Sequence, residues 1–244
     1  MRIEKISLES DLVPQEIQKF RIVQISDIHF SIINKKELAE KIVRQINQLE
    51  PDLVVCTGDL IDRGLPNEAA VITRLNAVKT RYGMYAVTGN HEFYTGIEKA
   101  TAFITQAGFK MIRNQFIPVA GWINLVGVDD PAGRNFPSEI YLQEDEILKN
   151  IPSGKMNILL KHQPSVNPNS RDLFTLQLSG HVHKGQIFPF SLITALLYRY
   201  HSGYFELSPK SHLYVSRGTG TWGPPIRFLA PPEITVIEIV RKQP

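Results

Sequence analysis

The chain predicts an α/β fold, two packed β-sheets with helices on their outer faces. Three observations predict it. The first third alternates strand and helix patterns, the second half is richer in strands, and clusters of Asp, Asn, Gly and His fall where strand patterns stop.

Phe20 to Ile28, FRIVQISDI, is a strand pattern that runs into a polar cluster. From Lys35 to Leu49 the apolar residues Leu38, Ile42, Ile46 and Leu49 recur at spacings of four, four and three, one helix face, and Pro51 follows as expected past a helix end. Leu53 to Thr57, LVVCT, is a continuous apolar run and so a strand buried on both faces. Asn67 to Lys79 is helical again, with Ala70, Val71, Leu75 and Val78 on one face, and Gly83 to Thr88 is the next short strand. This alternation argues for parallel pairing with right-handed crossovers. Later strands are expected at Asn124–Val128, Met156–Lys161, Thr175–Ser179, Leu213–Ser216 and Ile234–Val240, with a helix at Glu139–Lys149.

The length of 244 residues suits one large domain, and residues 1–244 are read as one. With 43% hydrophobic and 21% charged residues, the composition excludes a mostly disordered chain. The longest uncharged run, 15 residues between Arg113 and Asp129, is shorter than the roughly 17–25 apolar residues a spanning helix needs. The start, MRIEKISLESD, lacks the apolar middle of a signal peptide. A net charge of +3 is too weak a bias to argue for nucleic acid. The one cysteine, Cys56, excludes a disulfide-stapled fold and reads as a buried thiol. These bounds fit a cytoplasmic protein.

Five of the seven histidines lie at or just beyond predicted strand ends. Asp27-Ile28-His29 places a carboxylate and an imidazole two residues apart, on one side of an extended segment, a pairing that suits a divalent metal. In Gly58-Asp59-Leu60-Ile61-Asp62-Arg63-Gly64, Asp59 stands nearest the strand end, placed for a ligand shared by two metals, and Asp62 is placed to orient a histidine. In Gly89-Asn90-His91-Glu92, Asn90 offers a neutral oxygen, and His91 can protonate a leaving group or hold a phosphoryl oxygen. His162 ends the run NILLKH, and in Gly180-His181-Val182-His183 the alternation again puts two imidazoles on one face. Each piece alone also reads as a strand end, a capping turn or a solvated histidine. Together, Asp27, His29, Asp59, Asn90, His162, His181 and His183 form a mixed N and O donor set that fits Mn, Fe or Zn better than an all-oxygen Mg or Ca cage.

In order and spacing these five blocks resemble calcineurin-like metallophosphoesterases. The stretch VSRGTGTWGPPIRF and the closing PPEITVIEI are similar to a bacterial, membrane-associated branch of that family. The resemblance implies a four-layer αββα sandwich, two mixed β-sheets flanked by helices, with two divalent metal ions at one end. It assigns Asp27, His29, Asp59 and His183 to one ion and Asp59, Asn90, His162 and His181 to the other, with His91 as a catalytic histidine oriented by Asp62. Arg63 occupies the place of a phosphate-binding arginine in the family's protein-phosphatase branch, whose other features are not recognisable. Lys184 stands where the bacterial branch usually has glycine, which adds positive charge beside the site.

The implied reaction is hydrolysis of a phosphodiester or pyrophosphate by a hydroxide shared between the metals, on a phosphorylated small-molecule or lipid-linked substrate. A phosphomonoesterase, a nuclease of the same fold, and a non-catalytic scaffold that binds a partner protein are the alternatives. Ile187 to Tyr200, IFPFSLITALLYRY, reads as a surface element for peripheral membrane contact, or else as a core helix or subunit interface. Arg217, Thr219 and Trp222 are placed at the substrate rim or in a structural turn.

Overall fold

A computed structural model describes residues 1–31, 36–62 and 68–242. Among these described residues, twelve strands form two six-stranded sheets. The first holds β1 (Arg2–Ser10), β2 (Phe20–Ile25), β3 (Leu53–Cys56), β4 (Met84–Ala86), β5 (Phe109–Met111) and β12 (Glu233–Arg241), in the order β1-β12-β2-β3-β4-β5. The second holds β6 (Gln115–Val119), β7 (Ile123–Gly127), β8 (Met156–Leu160), β9 (Leu176–Ser179), β10 (Gly203–Ser208) and β11 (Ser211–Val215), in the order β10-β11-β9-β8-β7-β6. Both are mixed. β2, β3, β4 and β5 run parallel, as do β7, β8, β9 and β11, while β12 and β2, β6 and β7, and β10 and β11 pair antiparallel.

Side-chain alternation assigns the layers. On β2, Phe20 and Ile22 enter the core between the sheets and Val23 and Ile25 face the helices; on β3, Leu53 and Val55 go one way and Val54 and Cys56 the other. Residues Leu125, Ile158, Leu176 and Leu178 of the second sheet complete the inter-sheet core. The outer face of the first sheet is covered by α1 (Lys36–Gln48), α2 (Glu68–Leu75) and α4 (Ile97–Gln106), which follows α3 (Asn90–Thr95). On α1, Ala39, Ile42, Val43 and Ile46 are buried, and each large aliphatic side chain so placed contributes about 1.5–3 kcal/mol. The far face of the second sheet is covered by α5 (Glu144–Leu148), with Val126, Val128, Leu159 and Phe174 beneath it. The architecture is the expected four-layer sandwich.

Several boundaries differ from expectation. The strand expected over Phe20–Ile28, β2, stops at Ile25, and α2 spans eight residues where thirteen were expected. Lys35 and Asn67, expected at helix starts, lie outside the described residues. The helix expected over Glu139–Lys149 shrinks to α5 because long-range contacts take its first turn. Glu139 pairs with Arg113, and the Asn114 side chain donates to the Ile140 carbonyl at 2.8 Å.

Candidate metal centre

The carboxyl ends of β2, β3, β4, β8 and β9 open onto one rim, and the loops that leave them carry the polar clusters. The loops zip together beyond the strands. Asp27 N donates to Gly58 O at 3.0 Å, His29 N to Asp59 O at 3.1 Å, and Gly180 N to His162 O at 2.9 Å. Gln24, buried at the end of β2, ties the sheets together by donating to Thr57 Oγ1 at 2.9 Å and to Ser179 O at 3.0 Å.

Strand alternation does not bring these side chains together, contrary to expectation. Asp27 and His29 lie beyond β2, and His181 and His183 beyond β9. They converge because the loops turn sharply. Five residues sit in the left-handed region, Asp27 (φ 52), His29 (φ 53), Asp59 (φ 52), His181 (φ 73) and His183 (φ 51). Each costs on the order of 1–2 kcal/mol for an L-residue, and such strain clusters at functional sites. Glycine is required where loops cross. A Cβ on Gly58 (φ +93) would lie 2.6 Å from Gly89 N and 2.7 Å from His162 Nδ1.

The atoms of the expected ligands gather in two groups, and His29, Asp62 and His91 form a third beside them. Asp27, His29 and His183 present atoms within 4.8 Å of one another, and Asp59, His162 and His181 do the same. His29 Nε2 lies 3.1 Å from His183 Nε2, and His183 Nε2 is 3.4 Å from Asp27 Oδ1. In the second group His181 Nδ1 is 3.2 Å from His162 Nε2 and 3.1 Å from Asn90 Oδ1. Asp59 joins the groups, with Oδ2 3.1 Å from His162 Nε2 and 3.7 Å from His29 Nε2. Next to them, His91 Nδ1 is 3.1 Å from Asp62 Oδ1, and the His91 amide donates to Asp59 Oδ1 at 2.9 Å. Thus eight of the sequence-predicted site residues and the positioning Asp62 meet at one rim, and Arg63 lies outside the described residues.

Burial governs the charges. It pushes the Asp27 carboxyl up to about 6 against the pull of His162. Burial also pulls His29 down to about 4 and His181 to about 3, and it holds His183 well below the usual imidazole range, with Arg227 adding to the effect. Those three rings are neutral near pH 7, the form that donates a lone pair to a metal. His162 is the exception. Burial opposes its charging, but Asp59, Asp27 and Asp130 raise it well above the usual range. Burial likewise pushes up Asp59, yet His162 and His29 hold it well below the usual carboxylate range.

Two metal ions fit most of this donor set. The His162 Nδ1 proton goes to Thr57 O at 2.7 Å, so its Nε2 faces the Asp59 carboxylate, and there a proton serves as a cation would. His181 turns Nδ1 into the group, while its Nε2 is 3.2 Å from the Tyr198 hydroxyl, a partner that can accept the Nε2 proton and so leave Nδ1 free for a metal. His29 Nδ1 is buried without a hydrogen-bond partner, beside Asp62 Oδ2 at 3.9 Å. His183 fits least well. The guanidinium of Arg227, which can only donate, lies 2.9 Å from its Nδ1, so the neutral ring carries its proton on Nε2, the nitrogen turned toward Asp27 and His29.

Sequence reasoning missed Glu92, Tyr198 and Arg227. Glu92 is fully buried and accepts from the backbone amides of Gly89 (2.7 Å), Asp59 (2.9 Å) and Leu60 (2.9 Å), so it clamps the two loops that carry Asp59 and Asn90. Its signals were its place in the block Gly89-Asn90-His91-Glu92 and its position three residues past a turn glycine. Tyr198 and Arg227 lie in the segments Ile187–Tyr200 and VSRGTGTWGPPIRF that the sequence singles out, but nothing in either segment ties these two side chains to the site. Of the expected rim residues, Trp222 lines the cavity, but Arg217 turns away to pair with Glu233 and Glu4, and Thr219 is buried under Ser26, donating its amide to that carbonyl at 2.7 Å. The cavity, about 550 Å³, is lined by His29, Asp59, Asn90 and His91 together with the apolar side chains of Ile187, Phe190 and Trp222.

A two-sheet sandwich whose parallel strands deliver Asp, Asn and His from five loops to one rim presents a donor set of the kind that holds divalent metals. The match of residues 20–185 to the calcineurin-like phosphoesterase model shows that the chain belongs to that family. Among its relatives, a metallophosphoesterase of Aquifex aeolicus is 32% identical over 99% of this chain and 93% of its own length. A metallophosphoesterase of Helicobacter pylori is 36% identical over 99% of this chain, which spans 64% of that relative. A transmembrane protein with metallophosphoesterase domain from Danio rerio is 31% identical, and this chain spans 57% of it. A dimetal phosphatase from Danio rerio shares the fold with a TM-score of 0.57 at 14% identity, over 83% of this chain and 88% of its own.

Proposed function

We propose that residues 1–244 act as one domain that hydrolyses a phosphodiester or pyrophosphate bond with two divalent metal ions, Mn, Fe or Zn. The observation that carries the reading is Asp59, whose carboxylate stands between His162 on one side and His29 on the other. Asp27, His29, Asp59 and His183 would hold one ion, and Asp59, Asn90, His162 and His181 the other. When bound, such a pair supplies Lewis acidity and makes water a nucleophile near neutral pH.

The chain's own residues do the rest. Asp62 accepts the Nδ1 proton of His91, which leaves Nε2 facing the cavity, and the imidazolium form of the ring, carrying a second proton on Nε2, would give that proton to the leaving oxygen. Asp59 also fixes His91 through its backbone amide, so ligand and proton donor move together. The same cavity is also lined by Ile187, Phe190 and Trp222, and its size together with that apolar lining supports a substrate with a second substituent on phosphorus, a diester over a monoester.

The test compares bis-p-nitrophenyl phosphate with the monoester, in the presence of Mn, for the wild type and two variants. His91→Ala should keep its metal and lose about 10²–10⁴-fold in turnover. Asp59→Asn should lose both metal and turnover. Full activity of His91→Ala, or metal retained at wild-type affinity by Asp59→Asn, would reject the assigned roles.

A further inference from the structure

The sequence motifs leave one segment unused, Ile187–Tyr200, and the structure gives it an unusual setting. Helix α6 (Phe190–Leu197, FSLITALL) has no buried residue. Phe190, Leu192, Ile193, Leu196 and Leu197 are all more than half exposed, Leu196 at 88%. A second apolar segment lies beside it, with Trp222, Ile226, Phe228 and Leu229 also more than half exposed. The two segments are one unit. Phe188 N donates to Phe228 O at 3.1 Å and Phe228 N to Gln186 O at 3.0 Å, while the Gln186 amide donates to Trp222 O at 2.7 Å and accepts from Trp222 N at 2.8 Å. Most of the large apolar side chains exposed among the described residues are gathered here, so this is a patch rather than ordinary scatter.

The charge around the patch selects its partner. From Leu173 to Pro232 the chain carries Lys184, Arg199, Lys210, Arg217 and Arg227 but a single carboxylate, Glu206. Lys184 and Arg199 bracket α6, while Arg217 and Arg227 are turned inward. Tyr198, Tyr200 and Trp222 stand at the margins, the side chains that suit the boundary between lipid tails and headgroups. An exposed apolar helix with cationic flanks and interfacial aromatics complements an anionic bilayer. The inner side of the same unit, Ile187, Phe190, Thr194, Tyr198 and Trp222, walls the cavity that holds the metal-type ligands.

We infer that the cap formed by α6 and residues 222–229 seats on an anionic lipid bilayer, and that the cavity behind it takes the phosphoester of an amphiphile from that bilayer. The surface stands independently of the phosphoesterase reading; that the amphiphile is hydrolysed rests on it. The apolar lining then receives the chain-bearing side of the substrate, and the ligand residues receive its phosphorus.

The experiment uses the full chain, wild type and Leu192→Glu/Leu196→Glu, two outward positions that do not line the cavity. Co-sedimentation is measured with vesicles of phosphatidylcholine alone or mixed with phosphatidylglycerol. The wild type should bind the anionic vesicles, less so at high salt, and the variant should bind at least about tenfold more weakly. Both proteins should hydrolyse soluble bis-p-nitrophenyl phosphate equally, which also reports that the variant folds. Hydrolysis of a p-nitrophenyl phosphodiester bearing a long alkyl chain, presented on anionic vesicles, should fall in the variant alone. Wild-type protein that binds neither vesicle, or a variant that binds as well as the wild type, would overturn the inference. So would self-association that the variant abolishes without any vesicle binding, which would assign the cap to a second copy of the chain. Vesicle binding as expected, with no hydrolysis of any ester by either protein, would leave the surface standing and remove the phosphoesterase reading instead.

Discussion

Glu92 offers the sharpest test of how the loops are held, because it touches no proposed ligand atom. Its carboxylate accepts three backbone amides, those of Gly89, Asp59 and Leu60, at 2.7–2.9 Å in a fully buried position. Glu92→Ala would strand all three donors. A buried amide left without a partner costs roughly 1–3 kcal/mol, so the sum is on the order of 3–9 kcal/mol. A domain stable by about 5–15 kcal/mol then loses a large share of its stability and unfolds outright at the lower end of that range. Glu92→Gln is the more informative change. Its single carbonyl oxygen can serve the amides on one side, but its NH2 group opposes the others, donor against donor. One or two amides are lost, a cost of about 2–4 kcal/mol. The variant should fold at 25 °C with a lower denaturant midpoint. The second expectation separates a clamp from generic packing. Asp59 keeps its left-handed backbone only while its amide is held, so Glu92→Gln should bind Mn at least about tenfold more weakly by calorimetry. A Glu92→Gln protein within about 0.5 kcal/mol of wild-type stability and with unchanged Mn affinity would refute the clamp.

Two further outcomes are expected. Tyr198→Phe removes the hydroxyl 3.2 Å from His181 Nε2 and should weaken metal binding about 10–100-fold while leaving the thermal midpoint of the metal-free protein unchanged; equal affinity would free His181 from that partner. Metal itself should stabilise the fold. Free Mn at about 1,000 times its dissociation constant adds about 4 kcal/mol, or roughly 8–16 °C in midpoint for a chain of this size, and a chelator-treated sample that melts with the Mn-loaded one would contradict the centre.

Much of the architecture was legible because burial imposes simple periods. The 3.6-residue pattern located α1, and the unbroken run LVVC located β3. What escaped was decided by partners far along the chain. β1 reads as charge alternating with Ile and Leu and becomes a strand only by pairing with β12, more than two hundred residues away. β5 is three residues long, and α5 lost its first turn to Arg113 and Asn114. At the site, residue types were readable because few side chains bind metals, and the strand ends marked where they would lie. The route to convergence was not readable, since left-handed backbone at Asp27, His29, Asp59, His181 and His183 leaves no compositional trace beyond the neighbouring glycines. Glu92, Tyr198 and Arg227 stayed hidden because each acts through a contact that only the folded chain creates.

Strain and charge at this rim point to the same conclusion. Five left-handed residues cost on the order of 5–10 kcal/mol together, and two carboxylates are buried against three rings that burial keeps neutral. Neither expense is needed to bury the core, since the apolar neighbours Ile28, Phe30, Leu60 and Ile61 supply the rim loops' share of it. A protein selected for stability alone would relax these loops and place apolar or exposed residues there. The arrangement holds because the strands that support it are buried on both faces and because Glu92, Gln24 and the inter-loop hydrogen bonds leave the loops no alternative path. Arg227 adds a refinement. By donating to His183 Nδ1 it disfavours metal binding through Nε2 in the neutral ring, so the group with Asp27 and His29 should hold its ion more weakly than the group with His162 and His181. Two unequal Mn affinities, with the weaker one strengthened in Arg227→Gln, are the expected signature; two equal affinities unmoved by that substitution would show that the guanidinium does not govern the site.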